Sequence, residues 1–272
     1  MCVTCGCGEP NAEHSHDLRL QRRAVPLAKV KLPQTAHTPE IGVATRTLDL
    51  ELAVLAKNDA IAARNRAWLH ERGCLAVNLV SSPGAGKTTL LERTIRDLGP
   101  RWPVYVLEGD QATERDADRI RAAGARAIQI QTGTGCHLDA AMIERALPEL
   151  DPPPGAWVAI ENVGNLVCPA LFDLGEAGKV VVASVPEGDD KPSKYPHMFR
   201  AAAVILLNKV DLLPYVSFDR ERFRALAEQV QPGIEVLEVS ATRGDGLDAW
   251  YAWLEARRPY VQPTPAVRVA HG

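Results

Sequence analysis

The sequence predicts an α/β domain in three layers, with a mainly parallel sheet, helices on both of its faces, and a polar tail in front. Three observations predict it. Short apolar runs alternate with helical patterns through the middle of the chain, as they do where buried strands are joined by crossover helices. A glycine-rich segment sits where one of those runs gives way to a helical pattern. The 272 residues are 46% hydrophobic and 24% charged, the balance of one globular domain of ordinary size with tails.

The elements follow in order. Residues 1–45 read as a flexible tail, because Pro10, Pro26, Pro33 and Pro39 interrupt them and no apolar period persists. A helix is expected from about residue 45, with an apolar stripe of Leu48, Leu52, Ala56, Ala60, Ala63 and Ala67 at spacings of three and four. Gly73 is expected to end it. Strands are expected at residues 74–80, 104–107, 127–131, 157–160, 180–185, 204–207 and 234–239, and helices at 88–97, 117–123 and 138–147. The nucleotide-type domain would span residues 46–258. Residues 259–272, with Pro259, Pro263 and Pro265, read as a disordered C-terminal tail. A net charge of −3 excludes nucleic-acid binding by charge alone. No apolar run reaches the ~18 residues of a membrane helix. No apolar stretch follows Arg22-Arg23 either, so no export signal is read and a cytoplasmic location is expected.

Ser81-Ser82-Pro83-Gly84-Ala85-Gly86-Lys87-Thr88-Thr89 follows an apolar strand and opens a helix. Glycines there let backbone N–H groups curl around phosphate oxygens, and the helix N-terminus adds partial positive charge. This is a P-loop, with Pro83, Gly84, Ala85, Gly86, Lys87, Thr88 and Thr89 expected against the nucleotide. Lys87 should reach the β- and γ-phosphates, and the Thr88 hydroxyl should ligate Mg²⁺. Ser81 stands where the usual pattern has its first Gly.

Asn208-Lys209-Val210-Asp211 follows the apolar run 204–207. A fixed Asp211 carboxylate can accept from guanine N1–H and the 2-amino group, whereas adenine offers an acceptor at N1. With a P-loop upstream, Asn208, Lys209 and Asp211 point to GTP and GDP as ligands. Ser240 and Ala241, after the last strand, fit a backbone contact to guanine O6.

Two acidic segments end strands between these motifs. Asp110 lies at the carboxyl end of one, where ligands gather in open α/β sheets; its other reading is a helix cap. Glu161-Asn162-Val163-Gly164 has the form of a DxxG phosphate switch with Glu for Asp. Asp110 or Glu161 could hold Mg²⁺ beside Thr88, and Gly164 would sense the γ-phosphate. Asn165 stands where many signalling GTPases place a water-orienting Gln, so slow hydrolysis, dependent on dimerisation or a partner, is expected.

The cysteines point to metal. Cys2, Cys5 and Cys7 form a CxxCxC cluster, in which thiolates can wrap one soft or borderline ion, Ni²⁺ or Zn²⁺; the bland reading is a solvated tail with incidental thiols. Cys136 and His137 precede a helical pattern, whose N-terminus would favour the thiolate, and Cys168 follows Gly164 by four residues. These three could hold one ion or be unmetallated. Cys74, at a strand start, reads as packing.

The strings MCVTCGCG, VSSPGAGKTTL, EGDQATERDADRI, TGTGCHLDA, IENVGNLVCPALFDLGE, SVPEGDDKPSKYPHMF and NKVDLL together resemble the HypB family, the nickel-insertion GTPases of [NiFe]-hydrogenase maturation within the SIMIBI class. The resemblance runs from Met1 to about Asp245. It implies a cytoplasmic GTPase that forms a homodimer with GTP and delivers Ni²⁺ to the hydrogenase large-subunit precursor, with a HypA-type nickel chaperone as partner and neither membrane nor nucleic acid. It also implies that Cys136, His137 and Cys168 bind Ni²⁺ or Zn²⁺ at the dimer interface, and that Cys2, Cys5 and Cys7 are a nickel site. Only His14 and His16 stand where some members have a long His-rich stretch, and Ala141 and Arg145 stand where some add histidines. Lys194, in preference to Lys191, is expected to reach a partner's nucleotide. A urease-type nickel GTPase and a metal buffer with a regulatory nucleotide domain are the competing readings.

Overall fold

A computed structural model of the chain describes residues 41–110, 115–133 and 135–258. The expected Cys2, Cys5 and Cys7 site and the C-terminal tail lie outside the described residues.

Seven strands form one sheet: β1 (Leu75–Ser81), β2 (Val104–Asp110), β3 (Arg126–Gln131), β4 (Trp157–Glu161), β5 (Lys179–Ser184), β6 (Ala202–Asn208) and β7 (Val236–Glu238). Their order is β3-β2-β4-β1-β5-β6-β7, and every pairing is parallel. Eight α-helices accompany them among the described residues: α1 (Ile41–Glu71), α2 (Lys87–Leu98), α3 (Arg115–Ala122), α4 (Ala140–Leu150), α5 (Lys191–Lys194), α6 (Pro196–Arg200), α7 (Arg220–Val230) and α8 (Leu247–Glu255).

Strand alternation divides the core between the two faces of the sheet. Leu75, Val77 and Leu79 of β1 pack with Leu90, Leu91, Ile95 and Leu98 of α2 and with Leu247, Trp250 and Leu254 of α8. On the other face, Ala76 of β1 packs with Leu69 of α1 and with Ile143, Leu147 and Leu150 of α4. Val80 of the same strand packs with Phe199 of α6 and Phe223 of α7. Each such aliphatic side chain contributes about 1.5–3 kcal/mol by leaving water. The expected three layers and parallel sheet are therefore found.

Two expectations are corrected. The first helix already runs at Ile41, ahead of the expected start near residue 45. Its expected stripe is also misplaced: Leu52, Ala56, Ala60, Ala63 and Ala67 are exposed, while Asn58, Ala62, Asn65 and Leu69 are buried. The reason is polar anchoring. The Asn65 amide donates to the carbonyls of Ala140 and Leu174 at 2.8 and 3.0 Å. Asn58 donates to Asp173 O at 2.8 Å and accepts from Ala140 N–H at 2.9 Å. A period counted on apolar residues alone misses a face built on asparagines.

Candidate nucleotide and metal site

β1 occupies the middle of the sheet, so the loop at its carboxyl end opens at the switch of strand order, where ligands of open parallel sheets bind. Gly86 takes φ +99°, a conformation that disfavours any side chain, and α2 starts at the next residue. The loop borders a cavity of about 610 Å³ whose lining includes Lys87, Thr88, Glu108, Asp110, Glu161 and Gly164. That volume suits a small-molecule ligand. Lys87 Nζ donates to Ser81 Oγ at 2.9 Å. The serine that departs from the usual pattern thus gives the lysine a hydrogen-bond partner. Burial lowers the Lys87 pKa, against the opposing pull of Glu161 and Asp116.

The carboxylates converge beside it. The Thr88 hydroxyl donates to Glu161 Oε1 at 2.7 Å. Glu108 on β2 lies opposite Glu161 on the adjacent β4, and both side chains are buried with their Oε2 atoms unpartnered by hydrogen bonds. Burial pushes the Glu161 carboxyl up. Burial, then the charges of Glu161, Asp110 and Asp116, pushes Glu108 up to about 8. Two orphaned carboxylate oxygens next to a threonine hydroxyl are a hard donor set that fits Mg²⁺. Sequence reasoning missed Glu108. Its place two residues before Asp110, and therefore on the same strand face, was the available signal. Asp110 is the last residue of β2 and lines the cavity.

On the guanine side, Asn208 works as a clip. Its amide donates to Ala85 O at 2.9 Å, and its oxygen accepts from Ala241 N–H at 3.1 Å. The Ala241 N–H expected to face guanine O6 is thus engaged within the chain. Lys209, at φ +62°, donates to Gly84 O at 2.7 Å. Ser240 Oγ donates to Asp211 Oδ1 at 2.6 Å and fixes that carboxylate. The phosphate loop, the Asn208–Asp211 motif and the Ser240-Ala241 turn are thereby joined.

Cys136, His137 and Cys168 come together, with one ligand atom from each lying within 4.8 Å of the others. Their loops follow β3 and β4, which flank β2 in the sheet. The two sulfurs are 3.0 Å apart, and Cys136 Sγ is 3.7 Å from His137 Nδ1. The His137 ring packs against Phe172, with centroids 4.1 Å apart and planes tilted by 32°. Two sulfurs and an imidazole suit a borderline ion such as Ni²⁺ or Zn²⁺. The expected thiolate at a helix N-terminus is corrected. α4 starts at Ala140 and is capped by Asp139, which accepts from Met142 N–H at 2.8 Å. The Cys136 pKa is raised, first by its hydrogen bond to Cys168 and then by burial. Burial lowers that of His137, which keeps its ring neutral and able to ligate.

Asn165 is not free to orient water: it donates to Cys136 O at 3.2 Å and accepts from Val167 N–H at 2.8 Å. Asn165 and Cys136 line the same cavity as Lys87 and Thr88. Cys74 is buried and donates to Pro153 O at 3.5 Å, as packing requires. Lys194 is exposed and paired with Asp190 at 2.8 Å, whereas Lys191 bonds Ser82 Oγ at 2.8 Å and Glu187 at 3.0 Å. The lysine turned toward the phosphate loop of its own chain is Lys191.

The chain is similar to known proteins. The family model described as CobW/HypB/UreG, nucleotide-binding domain, matches residues 75–238. The hydrogenase maturation factor HypB of Escherichia coli K12 is 49% identical over 289 residues, covering 95% of this chain and 99% of the relative. The crystal structure of HypB from Archaeoglobus fulgidus matches with a TM-score of 0.69 at 41% identity, over 74% of this chain and 98% of that one. The crystal structure of HypB from Helicobacter pylori in complex with nickel matches with a TM-score of 0.69 at 37% identity, over 76% and 100%. With a P-loop at the head of a parallel sheet and identities of this size along its length, the chain belongs to the HypB family of hydrogenase maturation factors.

Proposed function

We propose that this chain is a GTP-hydrolysing nickel metallochaperone that delivers Ni²⁺ to a [NiFe]-hydrogenase large-subunit precursor, with dimerisation on GTP controlling how the metal is held. One observation carries the reading: Cys136, a ligand of the soft-metal cluster, lines the same cavity as Lys87 and Thr88 of the phosphate loop. A nucleotide filling that cavity and an ion held by Cys136, His137 and Cys168 would share a wall.

In this reading residues 46–258 are the GTPase domain. The phosphates draw Lys87 away from Ser81, the fixed Asp211 carboxylate selects guanine, and Gly164 reports the γ-phosphate as water converts GTP to GDP and phosphate. Thr88, Asp110 and Glu161, joined by Glu108, would hold Mg²⁺, which when bound supplies charge neutralisation at the phosphates. The engagement of Asn165 with Cys136 supports slow turnover. Cys136, His137 and Cys168 hold the cargo ion, Ni²⁺ or Zn²⁺, and Cys2, Cys5 and Cys7 form a second nickel site. A HypA-type chaperone is the partner, in the cytoplasm.

Nickel transfer tests the proposal. Nickel-loaded chain is mixed with the HypA-type chaperone and a hydrogenase large-subunit precursor, and metal in the precursor is measured with GTP and without nucleotide. Transfer should differ by about fivefold or more, the lower range of a coupled-site effect. Equal transfer would overturn it.

A further inference from the structure

The loop after β4 does more than carry Cys168. Gly164 lies so close to the phosphate loop that a Cβ on it would stand 3.1–3.2 Å from Pro83 atoms. Asparagines flank that contact at positions 162 and 165, and both reach the backbone of the metal loop. Asn162 Oδ1 accepts from Leu138 N–H at 3.2 Å, one residue past His137, and from its own neighbour Val163 N–H at 3.0 Å. Asn165 Nδ2 donates to the carbonyl of Cys136 itself at 3.2 Å. Thr132 holds the near end of the same stretch, its hydroxyl donating to Gly135 O at 3.0 Å.

The two amides differ in what stands behind them. Asn162 is 2% exposed and donates to Asn78 Oδ1 at 3.2 Å. Asn78 donates to Glu176 at 3.3 Å, and Glu176 accepts from Lys179 at 2.8 Å. This buried chain is anchored in β1 and β5, so Asn162 is a fixed point. Behind Asn165, among the described residues, stands no such chain: its oxygen accepts from Val167 N–H at 2.8 Å, on its own loop, and its side chain also meets the Cys136 thiol. A displacement of Gly164 relative to Pro83 therefore turns the loop about Asn162 and moves Asn165, and with it the Cys136 carbonyl.

We infer that Asn162 and Asn165 are positioning residues that couple phosphate occupancy to the metal cluster, Asn162 as the pivot and Asn165 as the moving clasp on Cys136. The inference rests on the nucleotide-controlled metal site proposed above and names the residues that transmit the control. Neither asparagine is one of the three candidate ligands. Their effect is on how the Cys136 and Cys168 sulfurs, which belong to different loops, are held relative to each other.

The test uses the full chain with Cys2, Cys5 and Cys7 replaced by Ser, so that one thiol cluster reports. Ni²⁺ is titrated by its thiolate charge-transfer absorption, with and without a non-hydrolysable GTP analogue and Mg²⁺, in this parent and in Asn165→Ala and Asn165→Asp. Aspartate keeps an acceptor for Val167 N–H but cannot donate to the Cys136 carbonyl. Without nucleotide, nickel affinity of Asn165→Ala should stay within about 2-fold of the parent. The nucleotide-dependent shift should shrink by about 2- to 10-fold in both variants, the factor one hydrogen bond carries. A shift as large as the parent's in both variants overturns the inference and leaves the proposed function standing. A parent without any nucleotide-dependent shift overturns both.

Discussion

Replacing Glu108 with glutamine removes one of two facing buried carboxyls and keeps the shape of the side chain. In the nucleotide-free chain Glu108 is raised from an ordinary 4.5 to about 8. The folded state therefore keeps a proton on Glu108 that the unfolded state has lost, and stability falls as pH rises from about 4.5 through 8. At 1.36 kcal/mol per pH unit the full linkage is roughly 5 kcal/mol. The open cavity beside the carboxyl admits water, and screening there reduces the expected effect to about 2 kcal/mol. Glutamine does not titrate, so Glu108→Gln should match the parent near pH 5 and exceed it by about 2 kcal/mol near pH 9. Urea unfolding without nucleotide or metal measures this, with an unchanged dependence on denaturant showing that the unfolded state is the same. Parallel stability curves from pH 5 to 9 would refute the reading of Glu108 as a neutral carboxyl paired with Glu161.

Three further substitutions separate the parts of the site. Gly86→Ala puts a Cβ 2.6 Å from Asn208 Nδ2 on a backbone at φ +99°, and the left-handed backbone alone costs about 1–2 kcal/mol. GDP affinity by fluorescence titration should fall about 10-fold or more, and an unchanged affinity would contradict the loop geometry. Asn208→Ala strands the Ala85 carbonyl and the Ala241 N–H, so chemical denaturation should show a loss of about 2–4 kcal/mol; a smaller loss than 1 kcal/mol would show that the clip is not structural. Phe172→Ala removes the ring packed against His137. Nickel affinity should fall about 2- to 10-fold, the worth of an aromatic pair, with GDP affinity unmoved. Equal nickel affinity would show that Phe172 does not orient the imidazole.

Much of this arrangement is legible in the chain alone. The strands β4, β5 and β6 hold continuous apolar runs, and β1 one interrupted by the buried Asn78, because both of their faces are covered. β2 was harder to bound: its last three residues, Glu108, Gly109 and Asp110, are polar or small because they border the cavity, so an apolar count stops at Leu107. The phosphate loop and the Asn208–Asp211 motif are local, and their spacing carries their meaning. The metal cluster is not local. Cys136 and Cys168 meet because β3 and β4 flank β2, an order that no periodicity reveals; the residue types suggested one set of ligands, and the family resemblance implied the same set. The facing of Glu108 and Glu161 depends likewise on parallel register. The hydrogen bonds of Asn165 and Ala241 had no sequence signal, since either group could equally have faced a ligand.

Control of the metal by the nucleotide is tested most directly by a reciprocal measurement on the chain with Cys2, Cys5 and Cys7 replaced. Ni²⁺ affinity is determined with and without the non-hydrolysable GTP analogue, and analogue affinity with and without Ni²⁺. Both affinities should change by one common factor of about fivefold or more, as linkage between two sites requires. Affinities for each ligand that do not respond to the other would contradict it.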